Sequence, residues 1–368
     1  MDTTTIGTAA LAAMAAATAS SAAANPSQVA FTQLAEIYGH SRKVYALEFN
    51  STGSLLASGS NDKTIRIWPV NSFYDGQEKE QPSELRGHSD SIHSLAWDPT
   101  NPHRLASTGA DKTVRVWDAK TGKIAHSISL QSEALNIVYS HDGRYIAVSN
   151  LDCVILIDAR KHRVVRRVVN PYEVRFPSAL WGRCRLLRFC LCLQVNEVQF
   201  SKSGFLFVAA GHPAGYGTFE IMRIVAEKKG NPNFENVHKV IAHAGSCFCL
   251  DFHPSGRYVA LGGIDSLVSL WDLQELYCVR TFIVTTSSIR TVRFNHDGSL
   301  LAIGMEDTTL VVVHTATGET ALTLQLQNVL QYLCWHPTKN VLAYVGDKPS
   351  NDKNANRDGV IKWIEVQQ

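Results

Sequence analysis

The stretch from Gly87 to Asp118, GHSDSIHSLAWDPTNPHRLASTGADKTVRVWD, recurs along this chain and dictates what it can build. It opens with Gly87-His88 and closes with Trp117-Asp118. Between them lie two alternating apolar runs, Ile92 to Trp97 and Leu105 to Thr108, a tight Gly-Ala-Asp-Lys turn, and a third run, Thr113 to Trp117. Period-two alternation bounded by Gly, Pro and Asp predicts short half-buried strands. Such a unit cannot bury both of its faces alone, so one copy implies further copies stacked against it.

The copies are present. Gly39-His40 leads through Val44 to Phe49 and Leu55 to Ser60, then through Asn61-Asp62 to a run ending at Trp68. Ala242-His243 leads through Cys247 to Phe252 and Val259 to Gly263, then through Ile264-Asp265 to Trp271-Asp272. Degenerate copies span Asn136 to Asp158, Ile289 to His314 and Gln331 to Trp363. Phe31 to Tyr38 precedes the first Gly-His and looks like an outer strand with no unit of its own, whereas the last unit lacks a fourth strand. The two defects match, so the N-terminal segment is expected to complete the last unit and remove two open sheet edges.

These repeats resemble the WD-repeat family of β-propellers over most of the chain. The resemblance implies an all-β, seven-bladed WD-repeat β-propeller over residues 29–368, closed by the N-terminal strand joining the last blade. In that family a His, a strand Ser or Thr, a turn Asp and a Trp hydrogen-bond as a buried tetrad. Carried over, blade one uses His40, Ser58, Asp62 and Trp68, and blade two uses His88, Ser107, Asp111 and Trp117. Blade five has His243, Asp265 and Trp271, but Gly262 where the hydroxyl is expected, so its tetrad reads as incomplete. Repeated His/Asp pairs also suit proton transfer or metal binding. The expectation here is a satisfied polar staple, costing about 1–3 kcal/mol for each partner left orphaned.

Composition agrees with one large globular unit: 368 residues, net charge +2 and 45% hydrophobic content. Near-neutral charge argues against a dedicated nucleic-acid binder, and no apolar stretch reaches the roughly 18 residues that a membrane span needs. Residues 1–28 are rich in Ala, Thr and Ser without a basic start, and are expected to be a disordered tail rather than a signal peptide. Residues 174–194 interrupt blade four with Arg175, Arg183, Arg185, Arg188 and three of the eight cysteines. One reading is a basic arm for RNA or zinc, although the cysteines lack paired metal spacing. The preferred reading is a translated intron, because its excision restores an uninterrupted Tyr-Glu-Val-Asn-Glu-Val strand. The remaining cysteines are expected in the core, with Cys247 and Cys249 on one strand face. Ser140-His141-Asp142 and Asn295-His296-Asp297 look like triad fragments but fit tight turns. No catalytic constellation, cofactor motif or metal site emerges.

Local wording narrows the resemblance. Ser266 to Phe282, Tyr172-Glu173-Val174 joined to Asn196-Glu197-Val198, Arg290 to Gly298 and Arg357 to Lys362 are similar to the family of WD-repeat subunits of the THO complex. Departures include Ser287-Ser288, blade four around Gly211 to Glu220, and an extended loop expected from Lys228 to Glu235. The resemblance implies a nuclear, non-enzymatic scaffold of the THO core of the TREX assembly, coupling transcription and splicing to messenger-RNA export. Its implied partners are other THO subunits and, through them, a DEAD-box export helicase, export adaptors and mRNA, with no cofactor, membrane or small-molecule substrate. Two other classes are a substrate receptor of a cullin ubiquitin ligase, for which only Asp158-Ala159-Arg160 fits, and a direct RNA-binding propeller. Binding in the resembling family often uses the rim where the second-to-third-strand turns emerge. That rim here carries Lys43, Asn61, Lys63, Ala110, Lys112, Ile264 and Glu306.

Overall fold

The computed structural model describes residues 31–71, 81–150, 153–169, 194–212, 214–225, 232–284, 287–326, 328–346 and 359–366. The expected 1–28 tail and residues 174–193 of the expected insertion lie outside them. Gln194, counted in that insertion, is instead the first residue of a strand. The described residues form 28 strands arranged in seven four-stranded antiparallel sheets.

Strand β1 is Phe31–His40. Blade one is β2 to β5: Val44–Phe49, Leu55–Ser60, Thr64–Pro69 and Ser83–Arg86. Blade two is β6 to β9: Ile92–Trp97, Arg104–Gly109, Thr113–Asp118 and Lys123–Ser129. Blade three is β10 to β13: Asn136–Tyr139, Tyr145–Ser149, Cys153–Asp158 and Arg163–Val169. Blade four is β14 to β17: Gln194–Phe200, Leu206–Gly211, Gly217–Val225 and Asn233–His243. Blade five is β18 to β21: Cys247–Phe252, Tyr258–Gly263, Val268–Asp272 and Tyr277–Phe282. Blade six is β22 to β25: Ile289–Phe294, Leu300–Met305, Thr309–His314 and Thr320–Gln325. Blade seven is β26 to β28, Leu330–Trp335, Val341–Gly346 and Gly359–Val366, with β1 as its outer strand. No helix among the described residues is long and apolar enough to cross a membrane.

The core is a ring rather than a centre. Seven apolar clusters each join two neighbouring blades, from Ile65 with Ile92 and Leu105 around to Leu56 and Trp68 with Val341 and Trp363. A buried Leu, Ile or Val contributes about 1.5–3 kcal/mol, so every blade depends on both neighbours. Closure comes from β1, which pairs antiparallel with β28 from Phe31↔Val366 to His40↔Gly359. The chain's two ends thereby share one blade, and no sheet is left with three strands.

Turn chemistry follows the residues. Asp142 Oδ1 accepts from Ser140 Oγ at 2.7 Å and Arg144 N at 3.0 Å, and Asp297 Oδ1 accepts from Ser299 N at 2.8 Å. Gly143 and Gly298 follow with φ of 64° and 80°, a left-handed conformation that Gly adopts without Cβ strain. The two triad-like fragments are therefore turns between the first and second strands of their blades.

Two expectations are corrected. Residues 233–235 are not loop: Asn233, Phe234 and Glu235 pair with Val225, Ile224 and Arg223 in a long β16–β17 hairpin. Cys247 and Cys249 do not share a face. A bulge shifts the register between them, so Cys247 packs towards blade four and Cys249 towards blade six. An extra residue reverses the face parity of a strand, and the innermost strands of five other blades carry the same shift.

Candidate functional site

The repeated polar residues meet as bonded chains. Trp68 Nε1 donates to Ser58 Oγ at 2.8 Å, Ser58 Oγ lies 2.7 Å from His40 Nε2, and His40 Nδ1 lies 2.9 Å from Asp62 Oδ2. An indole N–H only donates, so Ser58 Oγ accepts from Trp68 and meets His40 Nε2 with its remaining hydrogen-bonding capacity. Blade two repeats the chain: 2.8 Å from Trp117 to Ser107, 2.6 Å from Ser107 to His88 and 2.7 Å from His88 to Asp111. Each Asp also accepts turn amides, from Ser41 and Thr64 at Asp62 and from Ser89 and Thr113 at Asp111.

Burial pushes the His88 pKa down, favouring the neutral ring. Burial opposes ionisation of Asp62, Asp111 and Asp265, but their hydrogen bonds outweigh it and hold all three below the usual carboxylate range. The Trp, Ser, His and Asp side chains of blades one and two are each partnered within their own blade, which suits a staple.

Blade five departs from expectation. His243 Nδ1 lies 2.9 Å from Asp265 Oδ1, and the hydroxyl is supplied by Ser269, 2.8 Å from both His243 Nε2 and Trp271 Nε1. The residue at the Ser58 position is Leu261, not Gly262. Leu261 pairs directly with Ser269 across the sheet, as Ser58 pairs with Arg66. Directly opposed residues share a face, so a hydroxyl on the third strand reaches the point that the second strand supplies elsewhere. The tetrad is complete, with its oxygen moved one strand over. The signal in sequence was a Ser two residues before the Trp.

The candidate rim residues lie at one end of the ring. Backbone bonds of 2.9–3.0 Å tie Asn61 N to Lys43 O, Ala110 N to Ser91 O, Ile264 N to Ser246 O and Glu306 N to Ser288 O. Each bond joins the turn after a blade's second strand to the loop before its first. On blade one, Lys63 Nζ donates to Ser89 O at 2.7 Å and Asn61 Oδ1 accepts from Ser91 Oγ at 2.5 Å, so these residues bridge to blade two. Lys112 is exposed, Ile264 is 49% exposed, and Glu306 pairs with Arg290 at 2.6 Å.

A second polar system lies on the axis, and the repeat pattern gives no sign of it. The innermost strand of each blade is an edge strand, and in blades two, five and six a carboxylate from the preceding blade accepts one of its free backbone N–H groups. Glu48 accepts from Trp97 N at 3.0 Å, Glu197 from Leu250 N at 2.9 Å and Asp251 from Phe294 N at 2.7 Å. Arg293 joins blades by donating to Glu197 Oε1 at 2.7 Å and Tyr332 Oη at 2.9 Å. Glu48, Glu197, Asp251, Arg293 and Tyr332 line an axial cavity of about 390 Å³. Ser51, Pro99, His141 and Pro337, which follow the innermost strands, place it towards the end opposite the rim. Burial raises the Glu48 pKa to about 8 and the Asp251 pKa to about 6.

The WD40 repeat family (WD domain, G-beta repeat) matches residues 31–69, 79–118, 234–272 and 276–313. The chain is 34% identical over 328 residues to THO complex subunit 3 of Arabidopsis thaliana, spanning 89% of this chain and 93% of that protein. The chain belongs to the THO complex subunit 3 family. The WD repeat-containing protein AAC3 of Dictyostelium discoideum is 28% identical over 335 residues, 87% of this chain and 65% of that one. Among solved structures, the β-propeller domain of Myceliophteria thermophila Cps50 (Swd1) superposes with a TM-score of 0.69 at 20% identity, over 90% of this chain and 98% of that one. That likeness shows the fold alone. The first WD40 match begins in β1, the outer strand of blade seven, so sequence repeat and blade are offset by one strand.

Proposed function

We propose that this protein is a non-catalytic docking subunit of a THO-type assembly in the nucleus, linking transcription and processing to messenger-RNA export through protein–protein contacts. The observation that carries this reading is the near end-to-end match to THO complex subunit 3 of Arabidopsis thaliana, 93% of whose length is spanned. The bonded tetrads support it, because their polar groups are consumed in holding blades. The rim displays Lys63, Lys112, Ile264 and Glu306 on a rigid ring, which suits a platform for other THO subunits. The export helicase and adaptors, and most of the mRNA, are engaged through those subunits. Asp158 Oδ1 accepts from Arg160 N at 3.0 Å and Lys161 N at 2.9 Å, so the one Asp-x-Arg sequence that follows a third strand is a turn cap and gives no support to a ubiquitin-ligase receptor.

The test is affinity capture of the tagged full chain from nuclear extract with mass spectrometry. Enrichment of THO subunits over a tagged unrelated propeller supports the reading. Enrichment of a cullin adaptor, or of no THO subunit, overturns it.

A further inference from the structure

The outer strands of six blades are mixed or apolar, but β13, with the turn that leads into it, is densely cationic. Arg160, Lys161, Arg163, Arg166 and Arg167 fall within one turn and strand, with no acid among them, and all five are exposed. Asp158 is the nearest acid in sequence. Its Oδ1 is occupied by the turn amides, and its Oδ2 lies 3.9 Å from Lys161 Nζ. The Arg167 side chain is tied to Gln131 and to Cys153 Sγ. Among the described residues, Arg160, Arg163 and Arg166 have no carboxylate partner within salt-bridge distance.

A bulge arranges these charges. Asp158 pairs with Arg163 and Leu156 with Arg166, with Val165 as the extra residue between. Asp158 and Leu156 lie two apart on β12 and share a face, so Arg163 and Arg166 share one too, about 7 Å apart along the ladder. Leu156 packs with Val195 and Val198 of blade four, so that face is turned towards blade four. On the other side of the strand, towards blade two, Lys120, Lys123 and His126 are exposed, and the His126 ring stacks on His162 of the β12–β13 turn with centroids 3.4 Å apart.

We propose that this outer edge of blade three, centred on Arg160, Arg163 and Arg166, binds single-stranded RNA through its phosphates. A protein partner of ordinary kind needs an apolar centre, and among the described side chains of this strand the one exposed large apolar group is Val164, at 41%. A polyanion needs no such centre: guanidinium groups match phosphate oxygens in pairs, and counterion release drives the binding. The exposed His126 ring offers a stacking surface for an unpaired base, which favours a single strand over a duplex. The choice of RNA over DNA rests on the messenger-RNA role proposed for the protein; the cationic edge does not.

The test uses the full chain with a fluorescent twenty-nucleotide uridine oligomer, titrated at several salt concentrations. Arg160→Gln/Arg163→Gln/Arg166→Gln is expected to weaken binding tenfold or more at low salt. It should also reduce the log–log salt slope by about 2, because each phosphate neutralised on a single strand accounts for roughly 0.7 of that slope. Arg86→Gln, on the exposed outer strand of blade one, is expected to leave both unchanged. The proposal is overturned if the parent binds no RNA, if the triple variant binds as the parent does, or if deleting 175–188 alone abolishes binding. A thermal melt within about 2 °C of the parent excludes unfolding as the cause; if the triple variant melts lower, Arg163→Gln alone is read in the same way. Capture of THO subunits is scored in parallel. RNA binding without capture rejects the scaffold reading and keeps this one, and capture without RNA binding does the reverse.

Discussion

At the scale of single residues, the tetrads are chains of one-way hydrogen bonds, and removing a link orphans its neighbours. In blade two, Asp111 accepts from His88 at 2.7 Å, from Ser89 N at 3.1 Å and from the Thr113 hydroxyl at 2.8 Å. Asp111→Ala should therefore cost about 1–3 kcal/mol. Trp117→Ala should cost more, about 3–5 kcal/mol, because it adds a cavity in the core between blades one and two. Denaturant melts of both variants test this, and midpoints equal to the parent's would remove the staple role. In blade five, Ser269→Ala should cost about 1–3 kcal/mol by stranding His243 Nε2 and Trp271 Nε1, whereas Ser269→Thr should keep most of that stability. Equal losses for the two would mean that the hydroxyl is not what matters there.

At the scale of elements, the ring depends on the joint that closes it. Strand β1 covers the edge of β28, in which Trp363 is fully buried and Ile364 is 1% exposed. Deleting 1–28 leaves that ladder untouched and should be nearly neutral. Deleting 1–38 removes the ladder from Phe31 through Ile37 and opens an eight-residue strand edge, a template for edge-to-edge association. Size-exclusion profiles of the two truncations should separate, with the longer deletion aggregated or melting well below the parent. A monodisperse, normally melting 1–38 deletion would show that closure is dispensable.

At the scale of the whole molecule, ring closure brings charges from distant blades to one axis. Burial holds Glu48 protonated up to about pH 8 in the folded state, whereas the unfolded chain releases that proton near pH 4.5. A raised carboxyl pKa gives stability that is full below the unfolded value and is lost as pH rises through the folded one. Asp62, Asp111 and Asp265 act in the opposite sense: their lowered values give stability above about pH 4 that is lost on acidification. The parent should thus be most stable in mildly acidic buffer. Glu48→Gln keeps an oxygen for Trp97 N and removes the titration, so it should recover on the order of 1–3 kcal/mol at pH 8.5 and almost nothing at pH 4.5. A gain independent of pH would assign the effect to packing.

Much of this was legible in the residues themselves. Period-two runs and Asp-Gly turns are local, so the strands and the matching end defects followed from pattern, and the closed seven-bladed ring from that pattern together with the WD-repeat resemblance. The set of His88, Ser107, Asp111 and Trp117 came from the WD-repeat resemblance, and it could be carried over residue by residue because all four lie in one repeat. Three things were decided only by the tertiary structure. Register placed Leu261 opposite Ser269 and so moved the blade-five hydroxyl to another strand. One-residue bulges put Cys247 and Cys249 on opposite faces and Arg163 and Arg166 on the same one. The axial meeting of Glu48, Glu197, Asp251 and Arg293 joins side chains from four blades. Local periodicity determines which strands form; a bulge reverses face parity without leaving a mark in composition, and contacts across the axis exist only once the ring has closed.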